Sequence, residues 1–291
     1  MKDYVIATAS TCDLDREWLE EHGVPMISYT FEVNGTIYQD DCSDSTRRIL
    51  YGAMREGKMP NTSQITSYAY YEFFKDLLEE YHTVIFADMD KAISNSYSNS
   101  MIASDSIRQD MPDSDLYIID TSCITTGLGF LVRHMVEMKE QGASKDEVIR
   151  YAEETKLKIA HRFMIDDLQW LRRGGRLSNA SAIVGTLLAI KPLIYLPDDG
   201  TLVSYNKVRG RKHAIHQMLE DAAAEMGDAS GKEIVLSHSD CPEEGEKWKQ
   251  MVMERFPEAA SVTLQELGPV IGCHTGPGFL SIVYLTDRRR P

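Results

Sequence analysis

The sequence predicts an α/β protein of two α/β domains, the first with a mostly parallel sheet flanked by helices. Three observations predict it. Apolar runs of strand length alternate with segments of helical periodicity along nearly the whole chain. The length of 291 residues, 43% of them hydrophobic, suits one large or two ordinary domains with a real core. Strand–helix alternation implies right-handed βαβ crossovers, which make neighbouring strands parallel and put helices on the faces. No shift in composition marks a border, and the division is drawn as 1–159 and 160–291.

The elements follow in chain order. Tyr4–Ala7 is an apolar strand, and "DREWLEEHG" at 15–23 is a short helix ended by Gly23. "VPMISYTFEVNGTIYQDD" reads as a strand and hairpin with Asn34-Gly35 at the turn. "YYEFFKDLLEEY" at 70–81 gathers Phe73, Phe74, Leu77 and Leu78 on one helical face. Strands are expected at 83–90 and 116–121, then a helix at 127–142 stopped by Gly142. In the second half, His161–Leu168 is a strand, and "SNASAIVGTLLAI" is an apolar helix with Ser178 or Asn179 as its cap. Pro192 stops that helix, and Leu193–Leu196 starts a strand. A helix from His213, a strand at Glu233–Ser237, a helix at 243–256 and a strand at Ser261–Leu267 complete the pattern.

Charge and cysteine usage exclude several classes. The net charge of −14 disfavours nucleic acid or an anionic membrane as the main partner. Five widely spaced cysteines with no C-x-x-C argue against a disulfide framework or zinc site. They favour a reducing compartment, so a cytoplasmic location is expected. "MKDYVIATAS" is too short and polar for a signal peptide, and no apolar run has the length of a membrane span.

Hydroxyls collect after three predicted strands, in "TASTCD", "ISNSYSNS" and "DTSCITTG", and before a helix in "NTSQITS". Ligands of open α/β sheets lie outside the carboxyl ends of the strands, and small hydroxyls beside helix starts suit an anion. Each loop taken alone is an ordinary set of helix caps. Nucleotide-binding and nucleophile-elbow motifs are missing, since there is no G-x-x-x-x-G-K-[ST], G-x-G-x-x-G or G-x-S-x-G. His213 and His216 lack a third ligand nearby and read as solvent-exposed, so no metal is expected. "LRRGGRL" and "NKVRGRKH" are basic clusters on an acidic chain. Gly174-Gly175 allows a tight backbone turn before Arg176 and favours a functional use of that guanidinium. In "GPVIGCHTGPGFLSIVYL", His274 lies among Gly268, Gly272, Gly276 and Gly278, which reads either as a turn whose histidine bonds to a carbonyl or as a mouth that presents His274 to something polar.

Taken together these motifs resemble the DegV family of fatty-acid-binding proteins, which includes the acyl-carrying subunits of bacterial fatty acid kinase. The likeness runs over nearly the whole chain. "TASTCDL" is similar to the family's Thr-Asp-Ser-Thr-x-Asp-Leu, "NTSQITS" to its Thr-Ser-Gln segment, and "AISNSYSNS" to its Leu-Ser-Gly-Thr-Tyr segment. "LRRGGRLSNASAIVGTLLAIKPLI" resembles its Gly-Gly-Arg-Ile-Ser and Ile-Lys-Pro region, and "IGCHTGPG" its Ile-Gly-x-His-Thr-Gly-Pro-Gly. The last two are specific in length and order.

The resemblance implies a long-chain fatty acid in a narrow tunnel, with its head group at the interdomain cleft. Carried over by position, Thr62, Ser63, Ser94, Asn95, His274 and Thr275 would hold the carboxylate. Arg176 and Arg209 would face a fatty acid kinase catalytic subunit and its phosphate. The kinase would do the phosphoryl transfer, so this chain would be a carrier rather than an enzyme, with no cofactor besides the acid and only transient membrane-surface contact. Candidate tunnel residues are Ile183, Val184, Leu187, Leu188 and the Phe73–Leu78 face. The chain departs from the family at Ala9, at Asp90-Lys91 and at Asn95-Ser96. Asp90 would repel a nearby carboxylate unless Lys91 or an arginine pairs with it. A different or more polar acid is therefore an alternative ligand. Two enzyme readings stand beside the carrier: an acyl hydrolase or transferase with Ser94 as nucleophile and His274 as base, and a small-molecule phosphotransferase implied by the family's kinship with dihydroxyacetone kinases.

Overall fold

The computed structural model describes residues 2–176 and 190–289. The apolar helix expected from Ser178 onward, with Ile183, Val184, Leu187 and Leu188, lies outside the described residues.

Strands β1 (Lys2–Ala9), β2 (Met26–Ile27), β6 (Tyr81–Asp88) and β7 (Asp115–Asp120) form an all-parallel sheet in the order β2-β1-β6-β7. Central β1 and β6 read as continuous apolar runs because helices cover both of their faces. Strands β3 (Thr30–Val33), β4 (Thr36–Gln39) and β5 (Asn61–Ser63) make a small antiparallel sheet ordered β4-β3-β5. Its hairpin turns at Asn34 and Gly35, both at positive φ, as the Asn-Gly pair predicts.

The third sheet comprises β8 (Ile159–Met164), β9 (Ile190–Tyr195), β10 (Val203–Arg209), β11 (Glu233–His238), β12 (Ser261–Glu266) and β13 (Leu280–Leu285). Its order is β10-β9-β8-β13-β11-β12, and only β11 and β12 run parallel. The first sheet is thus all parallel and the third mostly antiparallel. Pro192 lies inside β9 opposite Lys207 rather than ahead of the strand.

Helix Thr125–Glu140 packs against strands of both large sheets. A helix enclosed on every side must be apolar all round, and its first eight residues are all buried. Gly127 and Gly129 let it sit that close. A Cβ on Gly127 would lie 1.9 Å from His161 Nε2, and one on Gly129 would lie 2.4 Å from the Cys12 carbonyl oxygen. "GLGFLV" is therefore a packing motif between layers.

Helices Asp44–Arg55, Ser96–Asp110 and Lys145–Thr155 are absent from the sequence reading, although the first and last carry an apolar stripe at helical spacing. Ser96–Asp110 begins inside one hydroxyl-rich stretch, and its buried side includes Ser96, Ser100 and Ser104, which carry no apolar signal. Helix Ser67–Glu80 begins three residues before the segment read in the sequence and ends one residue before its end. Thr66 caps it by accepting from Ala69 N, so that part of "NTSQITS" is a helix cap. Its Phe73–Leu78 face is core rather than tunnel: Phe73 and Phe74 pack edge-on against Phe86 of the parallel sheet.

Candidate functional site

The segment around His274 is a short helix, Pro269–Thr275, and not the mobile loop that its glycines suggest. Pro269 occupies the first helical position, where a missing N–H costs nothing. Gly268 and Gly272 are there for contact. Side chains on them would strike Asp13 and the Leu50–Tyr51 pair, respectively. Gly276, at φ 71°, ends the helix. The helix is thereby held rigid, and one face presents Val270, Ile271, His274 and Thr275 to a cavity of about 160 Å³. Its lining is apolar over much of its surface and polar at one end.

Phe163 and Ile165 reach the cavity from β8 and the residue just beyond it, and Phe279 from just before β13. Met89, Ile93 and Ile124 come from the ends of the parallel strands, and Leu171 and Leu202 from the second half. Strand β5 contributes Thr62 and Ser63. The turn after β6 contributes Ser94, buried to 5% exposure. The cavity thus lies where the carboxyl end of the parallel sheet meets the second half of the chain, as the strand-end rule anticipates.

Its polar end has defined geometry. His274 Nε2 and Thr62 Oγ1 are 2.9 Å apart. His274 Nδ1 is buried against Gly174, where a Cβ would lie 2.0 Å away. Burial, with Arg176 adding to it, pushes the imidazole down to about 4, so the ring is neutral at physiological pH. Arg176 Nη1 donates to the Gly174 carbonyl at 2.6 Å, and its Nε to the Ile93 carbonyl at 3.3 Å. The guanidinium therefore ties the His274 side of the mouth to the Ser94 side. The Gly-Gly pair divides the labour: Gly175 takes the left-handed conformation at φ 72°, and Gly174 makes room for the imidazole.

Of the residues expected at the head group, Thr62, Ser63, Ser94, His274 and Thr275 all line this cavity. Ser63 is exposed at the rim. The Thr275 hydroxyl is already spent on the Ile271 carbonyl of its own helix, at 3.2 Å. Asn95 lies instead in an adjoining polar cleft with Gln64 and Arg176. Arg176 lines both spaces, whereas Arg209 is exposed at the end of β10 and lines neither. In "NKVRGRKH", Arg211 forms ion pairs with Asp166 and Glu244 and is structural.

The departures are harmless to the lining. Asp90 Oδ1 accepts from Ala92 N in a local turn, and its carboxylate packs under Gly200. Lys91 pairs with Asp120 at 3.1 Å. Ala9 is buried in β1, and Ser10 in the first hydroxyl loop accepts from Tyr29 N rather than facing the cavity. The hydrolase reading needs a Ser94–His274 hydrogen bond and an acid behind the ring. His274 bonds to Thr62, and Ser94 Oγ meets Tyr29 and Ser96 N. Among the described residues no group of three or more His, Cys, Asp or Glu is placed to hold a metal ion. Nor is any helix among them long and apolar enough to cross a membrane.

Sequence reasoning passed over Tyr29, Met89, Phe163, Ile165, Leu202 and Phe279. Phe163 and Ile165 alternate along a strand, a signal that identifies a face but not what the face encloses. Tyr29 carries no signal at all.

Two large sheets with an apolar cavity at their junction, hydroxyl-lined and arginine-closed at one end, define an α/β protein built to bind a small amphipathic molecule. The chain belongs to the DegV family, whose model, described as an uncharacterised protein family, matches residues 4–287. A DegV domain-containing protein of Clostridium perfringens is 34% identical over the full length of both chains. Among solved structures, a fatty-acid-binding DegV family protein of Thermus thermophilus superposes with a TM-score of 0.88 at 26% identity, covering 98% of this chain and 99% of its own. DegV of Bacillus subtilis, described as a fatty acid binding protein, gives 0.86 at 26% identity over 99% of this chain and 100% of its own.

Proposed function

We propose that this protein binds a long-chain fatty acid with its tail in the apolar cavity and its carboxylate among Thr62, Ser94 and His274. In this reading the units 1–159 and 160–291 meet at the head group, in the cytoplasm. A partner kinase approaches the polar cleft beside Arg176 and Asn95, with Arg209 available on the surface. The chain then carries the acyl phosphate toward phospholipid synthesis. The observation that carries the reading is the buried apolar cavity ending in the Thr62–His274 pair. Its relatives' described fatty-acid binding supports it. Each buried methylene contributes about 0.8 kcal/mol, so the roughly five or six that a cavity of about 160 Å³ holds supply about 4–5 kcal/mol gross. A charge-assisted hydrogen bond nets about 1.5–3 kcal/mol. The tail sets affinity, and the head-group residues set register and reactivity.

Mass spectrometry of the protein as purified from cells should find a co-purifying acyl chain. The reading fails if none is present and added fatty acid is not taken up. His274→Ala should leave thermal stability and lipid retention nearly intact while slowing phosphorylation of the bound acid by the kinase. Equal loss of retention and stability would make His274 structural instead.

Binding should also take up protons. The free imidazole is neutral above about pH 4, and an adjacent carboxylate favours its protonated form. The bound-state value therefore rises, and affinity should strengthen as pH falls from 7 toward 5. Calorimetry in buffers of different ionisation enthalpy measures this uptake directly. Zero uptake in that range would place the carboxylate away from His274.

A further inference from the structure

We infer that Tyr29 is a positioning residue that acts through Ser94, orienting its hydroxyl to donate into the cavity; this rests on the fatty-acid reading above. Tyr29 is 3% exposed, its ring is part of the core beside the parallel sheet, and it lines the same cavity as Ser94. Its hydroxyl lies 3.3 Å from Ser94 Oγ. Ser94 Oγ also accepts from Ser96 N at 3.2 Å.

A serine hydroxyl has one hydrogen and two lone pairs. Ser96 N occupies one lone pair. Burial raises the Tyr29 phenol well above its ordinary value and keeps it protonated, so it retains a hydrogen to donate. The phenol also lies near the Ser96 and Tyr70 hydroxyls. Assigned to Ser94, its hydrogen occupies the second lone pair. Only the Ser94 O–H then remains, and the cavity is where it points. Without the phenol, the serine hydrogen has Tyr29's vacated direction and the cavity to choose between, and the donor is no longer set before the acid arrives. Such pre-orientation contributes to affinity because it is established in the empty site.

The test is a double-mutant cycle on palmitate binding with Tyr29→Phe, Ser94→Ala and the pair. Phenylalanine keeps the ring in the core and removes only the hydroxyl. Tyr29→Phe should weaken palmitate binding about fivefold, an effect of the size expected for one hydrogen bond. In the Ser94→Ala background it should have no effect. Binding of an alkane of matching length, which has no head group, should be unchanged by Tyr29→Phe. Additive effects would show that Tyr29 acts independently of Ser94 and would overturn the inference. So would an equal loss of alkane binding, or no loss of palmitate binding in the single variant. If the wild-type protein binds the alkane but gains nothing from the carboxylate of palmitate, or binds neither, the fatty-acid reading falls and this inference with it.

Discussion

Gly129→Ala is expected to destabilise the protein by more than about 3 kcal/mol, the upper end of the usual overpacking range. The added methyl would lie 2.4 Å from the Cys12 carbonyl oxygen and 3.1 Å from Leu14 Cγ. The first obstacle is backbone at the end of a tight turn, Ser10–Cys12, so it cannot rotate away as a side chain would. To relieve the clash, helix Thr125–Glu140 would have to retreat from one sheet and press into the other. The gain in helix propensity, about 1 kcal/mol, is far smaller than that cost. Urea denaturation of the two proteins measures the difference through their midpoints. An unchanged midpoint would mean that the helix is not clamped between the two sheets as described.

Asp88→Asn should stabilise the protein at alkaline pH, with a gain that grows from pH 5 to pH 8. Asp88 is fully buried at the end of β6. Its Oδ1 accepts from Met89 N at 2.9 Å, and its Oδ2 from Ser100 Oγ at 3.1 Å. Burial raises it to about 7 against these two bonds and a contribution from Tyr70, with Asp120 repelling in addition. A carboxyl whose folded value lies above its unfolded one binds more protons when folded. Stability therefore falls as pH rises from about 4 through about 7. Complete ionisation of a group so shifted costs about 4 kcal/mol, which sets the scale of the gain. Buried His161 and His274, pushed down to about 3 and about 4, act oppositely, since their contribution to stability is lost as pH falls below the ordinary histidine value. They are common to both proteins and cancel in the difference. Thermal unfolding of variant and wild type at matched pH between 5 and 8.5 gives that difference. A pH-independent gap would show that Asp88 does not titrate in this window.

Both expectations concern positions where local sequence is silent. Gly129 sits in "GLGFLV", which falls short of G-x-G-x-x-G, and Asp88 ends an apolar strand like many aspartates. Neither the carbonyl against the glycine nor the burial of the carboxyl is encoded within a few residues. The same limit explains the His274 segment. Four glycines and two prolines around one histidine signal backbone freedom, yet three of those glycines, Gly268, Gly272 and Gly276, mark places where another element touches. Asn95 and Arg209 show the converse. Each lies close in sequence to site residues or basic motifs, but side-chain direction takes one to an outer cleft and the other to the surface.

The strand–helix alternation, the Asn34-Gly35 hairpin and the clustering of hydroxyls at strand ends could be read from the chain alone. Each depends on the period of apolar residues or on one turn's backbone preference, and both are properties of neighbours in sequence. Which hydroxyls face the cavity, that Tyr29 stands behind Ser94, and that His274 is neutral were decided only when β5, the turn after β6 and helix Pro269–Thr275 came together. Hydrogen-bond partners and desolvation arise between residues far apart in the chain, 212 positions for Thr62 and His274, and no local pattern specifies them.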